Sequence, residues 1–143
     1  MYIKRENVKT KIYLSKDFHF DSAHHLPEYD GCCKNLHGHR WNISVGLFGS
    51  VDEKTRMLID FKIVKEIVNE KVVNVLDHQY LNNLGIPELE YPTAENIAPW
   101  IFKTLMNTEL HNILTVVKLW ESPDSMVKYS IDNFINDYEW INE

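Results

Sequence analysis

The chain has 143 residues, 44% of them hydrophobic and 25% charged, the make-up of one globular domain over residues 1–143 with 131–143 as a tail. No apolar run approaches the roughly 20 residues that cross a bilayer, and residues 1–6 lack the apolar core of a signal peptide, so a cytoplasmic protein with no membrane partner is expected. The net charge of −6, with no Lys/Arg cluster longer than a pair, argues against a phosphate-neutralising nucleic-acid surface.

Residues 11–25 alternate apolar and polar side chains through Ile12, Leu14, Phe18 and Phe20, the pattern of one long or bent strand. Phe18, Phe20, Ser22 and His24 share one face of it, and His19, Asp21, Ala23 and His25 the other. If the phenylalanines face the core, His24 is the histidine that points inward. Gly31 turns the chain before a second strand over 39–48, carrying Ile43, Val45 and Leu47, and the segment 49–52 turns it again. Asp60 stands as N-cap ahead of Ile63, Val64, Ile67 and Val68, which predicts a helix to about residue 75 or 76. After a polar loop, Thr93 caps a second helix with Ile97, Ile101, Phe102 and Leu105 as its buried stripe. Pro99 inside that helix removes a donor and crowds the preceding turn, so a kink or a later start is expected there. Residues 114–120 read as a strand, the turn Pro123-Asp124-Ser125 leads into a short strand over 126–130, and the tail places Ile131, Phe134, Ile135 and Tyr138 at helical spacing. The order β-β-α-α-β-β implies an α+β domain, an antiparallel four-stranded sheet with two helices on one face. Such a sheet is small, and pairing of strand edges between copies is the natural remedy.

Four of the seven histidines, His24, His25, His37 and His39, fall within sixteen positions. On a strand, His37 and His39 point to the same face and can share a metal ion, with Gly38 keeping the opposite face free of bulk. With a third imidazole from His24 or His25 the set is that of a catalytic zinc with an open fourth position. Cys33 could close the site as a fourth ligand or pack as a small hydrophobe; Cys32 and Cys33 are both expected as thiols, since neighbours bridge poorly. Asp77-His78 at the end of the first helix offers a carboxylate–imidazole pair of the triad kind, or simply a histidine favoured at a helix C-terminus. Glu121 at a strand end is either solvated or a two-oxygen fork for paired N–H donors. Thr93 is sufficiently explained as a cap, although a helix N-terminus lining a pocket also offers N–H groups to a ligand.

Taken together, Phe18-His19-Phe20-Asp21-Ser22-Ala23-His24-His25-Leu26-Pro27, Cys33 with Leu36-His37-Gly38-His39, Leu76-Asp77-His78, Pro92-Thr93-Ala94-Glu95-Asn96 and Trp120-Glu121-Ser122 resemble the 6-pyruvoyl-tetrahydropterin synthase family, over residues 12–129. The three residues between Cys33 and His37 are similar to the carboxy-tetrahydropterin branch of the queuosine pathway; the animal pyruvoyl branch has a longer gap, and a further branch carries glutamate in place of the cysteine. The resemblance implies His24, His37 and His39 as zinc ligands and Cys33 as catalytic thiol. It implies Asp77 and His78 as relay partners from a neighbouring subunit, and Glu121 as the pterin anchor, also drawn into the relay. It implies the tunnelling fold of ββααββ units, assembled as a homohexamer of two trimers. The implied reaction converts 7,8-dihydroneopterin triphosphate to 6-carboxytetrahydropterin with loss of acetaldehyde and triphosphate. The implied alternatives are 6-pyruvoyl-tetrahydropterin synthase chemistry or a pterin-binding protein with a structural zinc. Zinc and a charged His78 are expected to hold Cys33 as thiolate. Ser122, where threonine is commoner, Pro99 and the tail beyond Tyr129 depart from the family pattern.

Overall fold

The computed structural model describes every residue except Trp140, Asn142 and Glu143. Strands β1 (Lys11–His24) and β2 (His37–Ser50) are antiparallel partners along their full length, from Lys11↔Ser50 to His24↔His37. Strand β2 therefore begins at His37, two residues before its expected start, because the ladder with β1 runs on through Ala23↔Gly38 and His24↔His37. Beyond it come β4 (Leu114–Ser122) and β5 (Ser125–Ser130), both antiparallel, with register shifts at Gly46/Leu47 and Trp120/Ser122.

The expected four-stranded antiparallel sheet is corrected to a five-stranded mixed one: with the short strand Gln79–Tyr80 as β3, the order is β3-β1-β2-β4-β5. Strand β3 (Gln79–Tyr80) lies parallel to β1 through Ser22↔Gln79 and Ala23↔Tyr80. Two residues cannot display an alternation, so this strand has no local signature. Because β3 meets β1 only at Ser22 and Ala23, the outer edge of β1 from Lys11 to Phe20 has no strand partner among the described residues.

One face of the sheet carries the helices. The first, α1, spans 61–76: an α-helical stretch Phe61–Val68, a π-helical turn Asn69–Val73 and a last α turn Asn74–Leu76. Asp60 caps it by accepting from Lys62 N at 2.8 Å. Val64, Ile67 and Val68 are buried, whereas Ile63, expected in the same stripe, is exposed. The second, α2 (Ala94–Met106), buries Ile97, Ile101, Phe102 and Leu105 as the spacing predicts. It runs through Pro99 from a start at Ala94, so the later start is not found: Thr93 accepts from Asn96 N at 3.2 Å and fixes the first turn ahead of the proline. In the tail, α3 (Ile131–Asp137) opens with a capping box between Ser130 and Asn133. Ile131 and Phe134 pack on the core, whereas Ile135 and Tyr138 are exposed.

The core joins these helices to the inner face of the sheet through Phe20, Trp41, Ile43, Val45, Leu47, Val117 and Leu119. Phe20 and Trp41 stack with ring centroids 5.9 Å apart. Truncating a buried phenylalanine of this kind to alanine costs about 3–5 kcal/mol. Among the described residues, no helix is long and apolar enough to cross a membrane.

Candidate metal centre and active site

The alternation of β1 carries directly into the site. Phe18, Phe20, Ser22 and His24 are buried on the helix-facing side, while His25 lies beyond the strand end and bonds through Nδ1 with the Tyr80 hydroxyl. The pairing His24↔His37 and Ser22↔His39 then brings three imidazoles together at one end of the sheet. Their candidate ligand atoms lie within 4.8 Å of one another. Ring centroids are 4.6 Å apart for His24–His37, 5.1 Å for His24–His39 and 4.8 Å for His37–His39. Trp41 closes the inner side, edge-on to His24 and His39 at 5.2 and 5.4 Å. On the opposite face Gly38 borders open space, where an added Cβ would meet only Ser22 O at 3.8 Å.

Two of the imidazoles have their tautomers set by backbone carbonyls. His24 Nδ1 lies 2.7 Å from Pro92 O and His37 Nδ1 lies 2.6 Å from Asn35 O. A carbonyl oxygen only accepts, so each Nδ1 carries the proton and each Nε2 presents its lone pair, the orientation seen in metal-ligating histidines. Nε2 of both His24 and His39 is buried without a hydrogen-bond partner among the described residues. Leaving a buried polar atom unpaired costs about 1–3 kcal/mol, and a bound cation removes that cost. Burial is the main cause that holds His24 and His39 below the ordinary histidine value; the Pro92 carbonyl at His24 and Glu121 at both pull the other way, and the neighbouring imidazoles push down by less. Neutral imidazoles are the form a metal takes up. The residues therefore fit a zinc ion.

Cys33 stands outside this donor set. It lies, half-buried, in the 3₁₀ turn Cys32–Lys34, which buries no residue. Its thiol is held above the usual value, first by the neighbouring thiol Cys32, then by burial and by the negative Glu121. The cation-driven lowering expected from the sequence is thus not supplied by this chain's own side chains. Glu121, beside the shift in register at the end of β4, has Oε1 3.9 Å from His39 Nε2. Thr93 lies next to Pro92, whose carbonyl orients His24, so the start of α2 adjoins the centre.

Asp77 and His78 bond to Asp21 and make no hydrogen bond to Cys33 among the described residues. Asp77 Oδ1 accepts from Asp21 N at 2.9 Å, and His78 N donates to Asp21 O at 2.6 Å, which ties them to the β1 edge. His78 adopts φ 56°, uncommon for a residue with a Cβ, and its side chain is 78% exposed. With Asp21, Gly38, Arg40 and Tyr80 it borders a cleft of about 590 Å³. The sequence reading missed the orienting carbonyls of Pro92 and Asn35 and the Trp41 floor; a main-chain acceptor carries no side-chain signature.

The family model for 6-pyruvoyl tetrahydropterin synthase matches residues 13–132. A Haemophilus influenzae protein named 6-carboxy-5,6,7,8-tetrahydropterin synthase is 33% identical over 139 residues, covering 81% of this chain and 96% of that protein. A Synechocystis protein of the same name is 37% identical over 121 residues, covering 81% of this chain and 91% of its own. The structure of Caenorhabditis elegans 6-pyruvoyl tetrahydropterin synthase superposes with a TM-score of 0.78 at 25% identity, over 85% of this chain and 96% of that one. Similarity in sequence and in fold over most of the chain's length establishes that it belongs to the 6-pyruvoyl tetrahydropterin synthase family.

Proposed function

We propose that the chain is a zinc-dependent lyase that converts 7,8-dihydroneopterin triphosphate to 6-carboxy-5,6,7,8-tetrahydropterin, releasing acetaldehyde and triphosphate. The observation that carries this reading is the convergence of three imidazoles, two with buried Nε2 atoms that have no partner among the described residues, while the nearby Cys33 thiol stays outside the donor set. A closed structural site would instead draw Cys33 in as fourth ligand. The names of the two bacterial relatives favour the carboxy product over the pyruvoyl one.

In this reading His24, His37 and His39 hold the metal, and a zinc ion there supplies Lewis-acid polarisation of the hydroxyl groups on the substrate arm. Glu121 accepts the paired N–H donors of the pterin ring, a geometry a carboxylate fork matches. Thr93, next to the Pro92 carbonyl that meets His24, brings the N–H groups at the start of α2 to the same site as donors for the ligand. Cys33 takes a carbon-bound proton from the arm as general base. Its thiol needs a cation to ionise near neutral pH, and His78 with Asp77 from a second copy provides the relay. The uncommon backbone conformation and the exposed ring of His78 support that donation. The edge of β1 that lacks a strand partner among the described residues supports assembly by strand pairing, as a homohexamer of two trimers. The place of action is the cytoplasm.

Incubating zinc-loaded protein with 7,8-dihydroneopterin triphosphate and identifying products by mass spectrometry tests the reading. Carboxytetrahydropterin with acetaldehyde is expected. A pyruvoyl product would move the chain to the other branch, and pterin retention without turnover would make it a binding protein.

A further inference from the structure

The end of β1 holds a contact that neither the metal nor the relay uses. The ladder between β1 and β2 stops at His24↔His37, so the sheet does not hold His25. Asn82, 57 residues further on, holds it instead: its Oδ1 accepts from His25 N at 3.0 Å and its Nδ2 donates to His25 O at 2.9 Å. That reciprocal pair is what a neighbouring strand would supply, and it prolongs by side-chain mimicry the parallel pairing of β3 with Ser22 and Ala23. Tyr80 adds a hydroxyl bond to His25 Nδ1, with the two rings 5.7 Å apart. Asn82 Nδ2 also reaches Glu90 O at 3.5 Å.

The next residue passes this constraint to the thiol. Leu26 N donates to Cys33 O at 3.0 Å, whereas the turn's other backbone bonds, Lys34 N to Gly31 O and Asn35 N to Cys32 O, are internal to it. The turn has no buried side chain to fix it by packing. The turn is therefore anchored on two sides: Asn35 O meets His37 Nδ1 at 2.6 Å where the chain enters β2, and Cys33 O is held through the main chain of Leu26 and His25, which Asn82 fixes.

We propose that Asn82, backed by Tyr80, is the positioning residue for Cys33: it supplies the strand-like pairing that the sheet lacks at His25 and thereby sets the distance between the thiol and the metal centre. The proposal rests on the reading of Cys33 as the general base. Asn82 touches neither the histidine cluster nor the thiol itself. A proton transfer is sensitive to ångström-scale displacement, whereas the histidines are held by the β1–β2 ladder, and His24 also by the Pro92 carbonyl, none of which involves Asn82.

The test uses the full chain in a Cys32→Ala background, so that a single thiol reports from the turn. Zinc content, thermal midpoint, kcat, KM and the rate of Cys33 alkylation by iodoacetamide across pH are measured for Asn82→Ala, Asn82→Asp and Tyr80→Phe. Asn82→Ala is expected to keep zinc and a KM within about threefold, to lose roughly tenfold to a hundredfold in kcat, and to alkylate at least about threefold faster with a displaced pH profile. Asn82→Asp keeps the acceptor for His25 N and should fall between it and the parent. A folded, zinc-loaded Asn82→Ala protein with unchanged kcat and unchanged alkylation overturns the proposal, and so does zinc loss in step with kcat. If Asn82→Ala does not fold, Tyr80→Phe decides: a smaller shift in the same direction upholds the proposal, and no shift sinks it. Should Cys33→Ala itself retain turnover, the base assignment falls, while the alkylation rates still decide whether Asn82 sets the turn.

Discussion

The histidine cluster and the thiol turn lie side by side but are held by different kinds of structure. His37 and His39 stand in a fourteen-residue strand paired residue by residue with β1, with buried Trp41 behind them. Cys33 stands in a three-residue turn with no buried side chain, tied outward by single bonds through Leu26 and, at its end, from Asn35 O to His37. A metal needs its ligands at fixed mutual distances before it arrives, and a strand ladder provides that. A thiol that must meet a substrate can be placed by a few hydrogen bonds, at the cost of depending on each of them. The contrast predicts separable damage, with metal lost from one region and turnover from the other.

The largest effect belongs to the cluster. His37→Ala and His24→Ala should each abolish stoichiometric zinc and all turnover, while His25→Ala should keep zinc near one per chain, read by elemental analysis. Equal metal loss from the His24 and His25 variants would undo the assignment of faces on β1. Next comes the thiol: Cys33→Ala should retain zinc and pterin binding but lose about 10²–10⁴-fold in kcat, the usual cost of removing a positioned base. A zinc-free Cys33→Ala protein would mean that the thiol is a ligand, and the two regions would become one.

A mixing experiment addresses Asp77 and His78, which bond to Asp21 rather than to their own chain's thiol. Cys33→Ala and His78→Ala chains, inactive separately, should recover part of the activity after dissociation and reassembly together. Mixed oligomers confirmed by sedimentation, yet still inactive, would rule out a site shared between copies.

The pH response is a gentler probe. His24 and His39 have folded-state values below the ordinary 6.5, chiefly from burial. As pH falls through that value the unfolded chain takes up protons that the folded one refuses, so the stability present above it is lost on acidification. Protons also displace metal from imidazole. Thermal midpoints of zinc-loaded and metal-free protein should therefore converge between about pH 8 and about pH 5. A gap independent of pH would argue against an all-histidine centre. The smallest effect is expected at Thr93: Thr93→Ala should cost about 1 kcal/mol of stability through loss of the cap, with zinc unchanged, as read by denaturant melts.

The residues themselves determined whatever depends on local periodicity. Alternation along residues 11–25 separates His24 from His25, because successive side chains on a strand must point to opposite faces. Caps at Asp60 and Thr93, and the buried stripe of α2, were legible for the same reason: their partners lie within a few residues. Only the tertiary structure decided what depends on partners far along the chain. Strand β3 exists because Gln79 and Tyr80 find Ser22 and Ala23, and the π turn at Asn69–Val73 carries no sequence mark of its own. His78 takes an uncommon conformation where its main chain meets Asp21, a partner far back in the sequence. Asn82 read as one more polar loop residue until the fold brought it to His25, since an amide that completes a strand's hydrogen bonds has no meaning apart from the strand it completes.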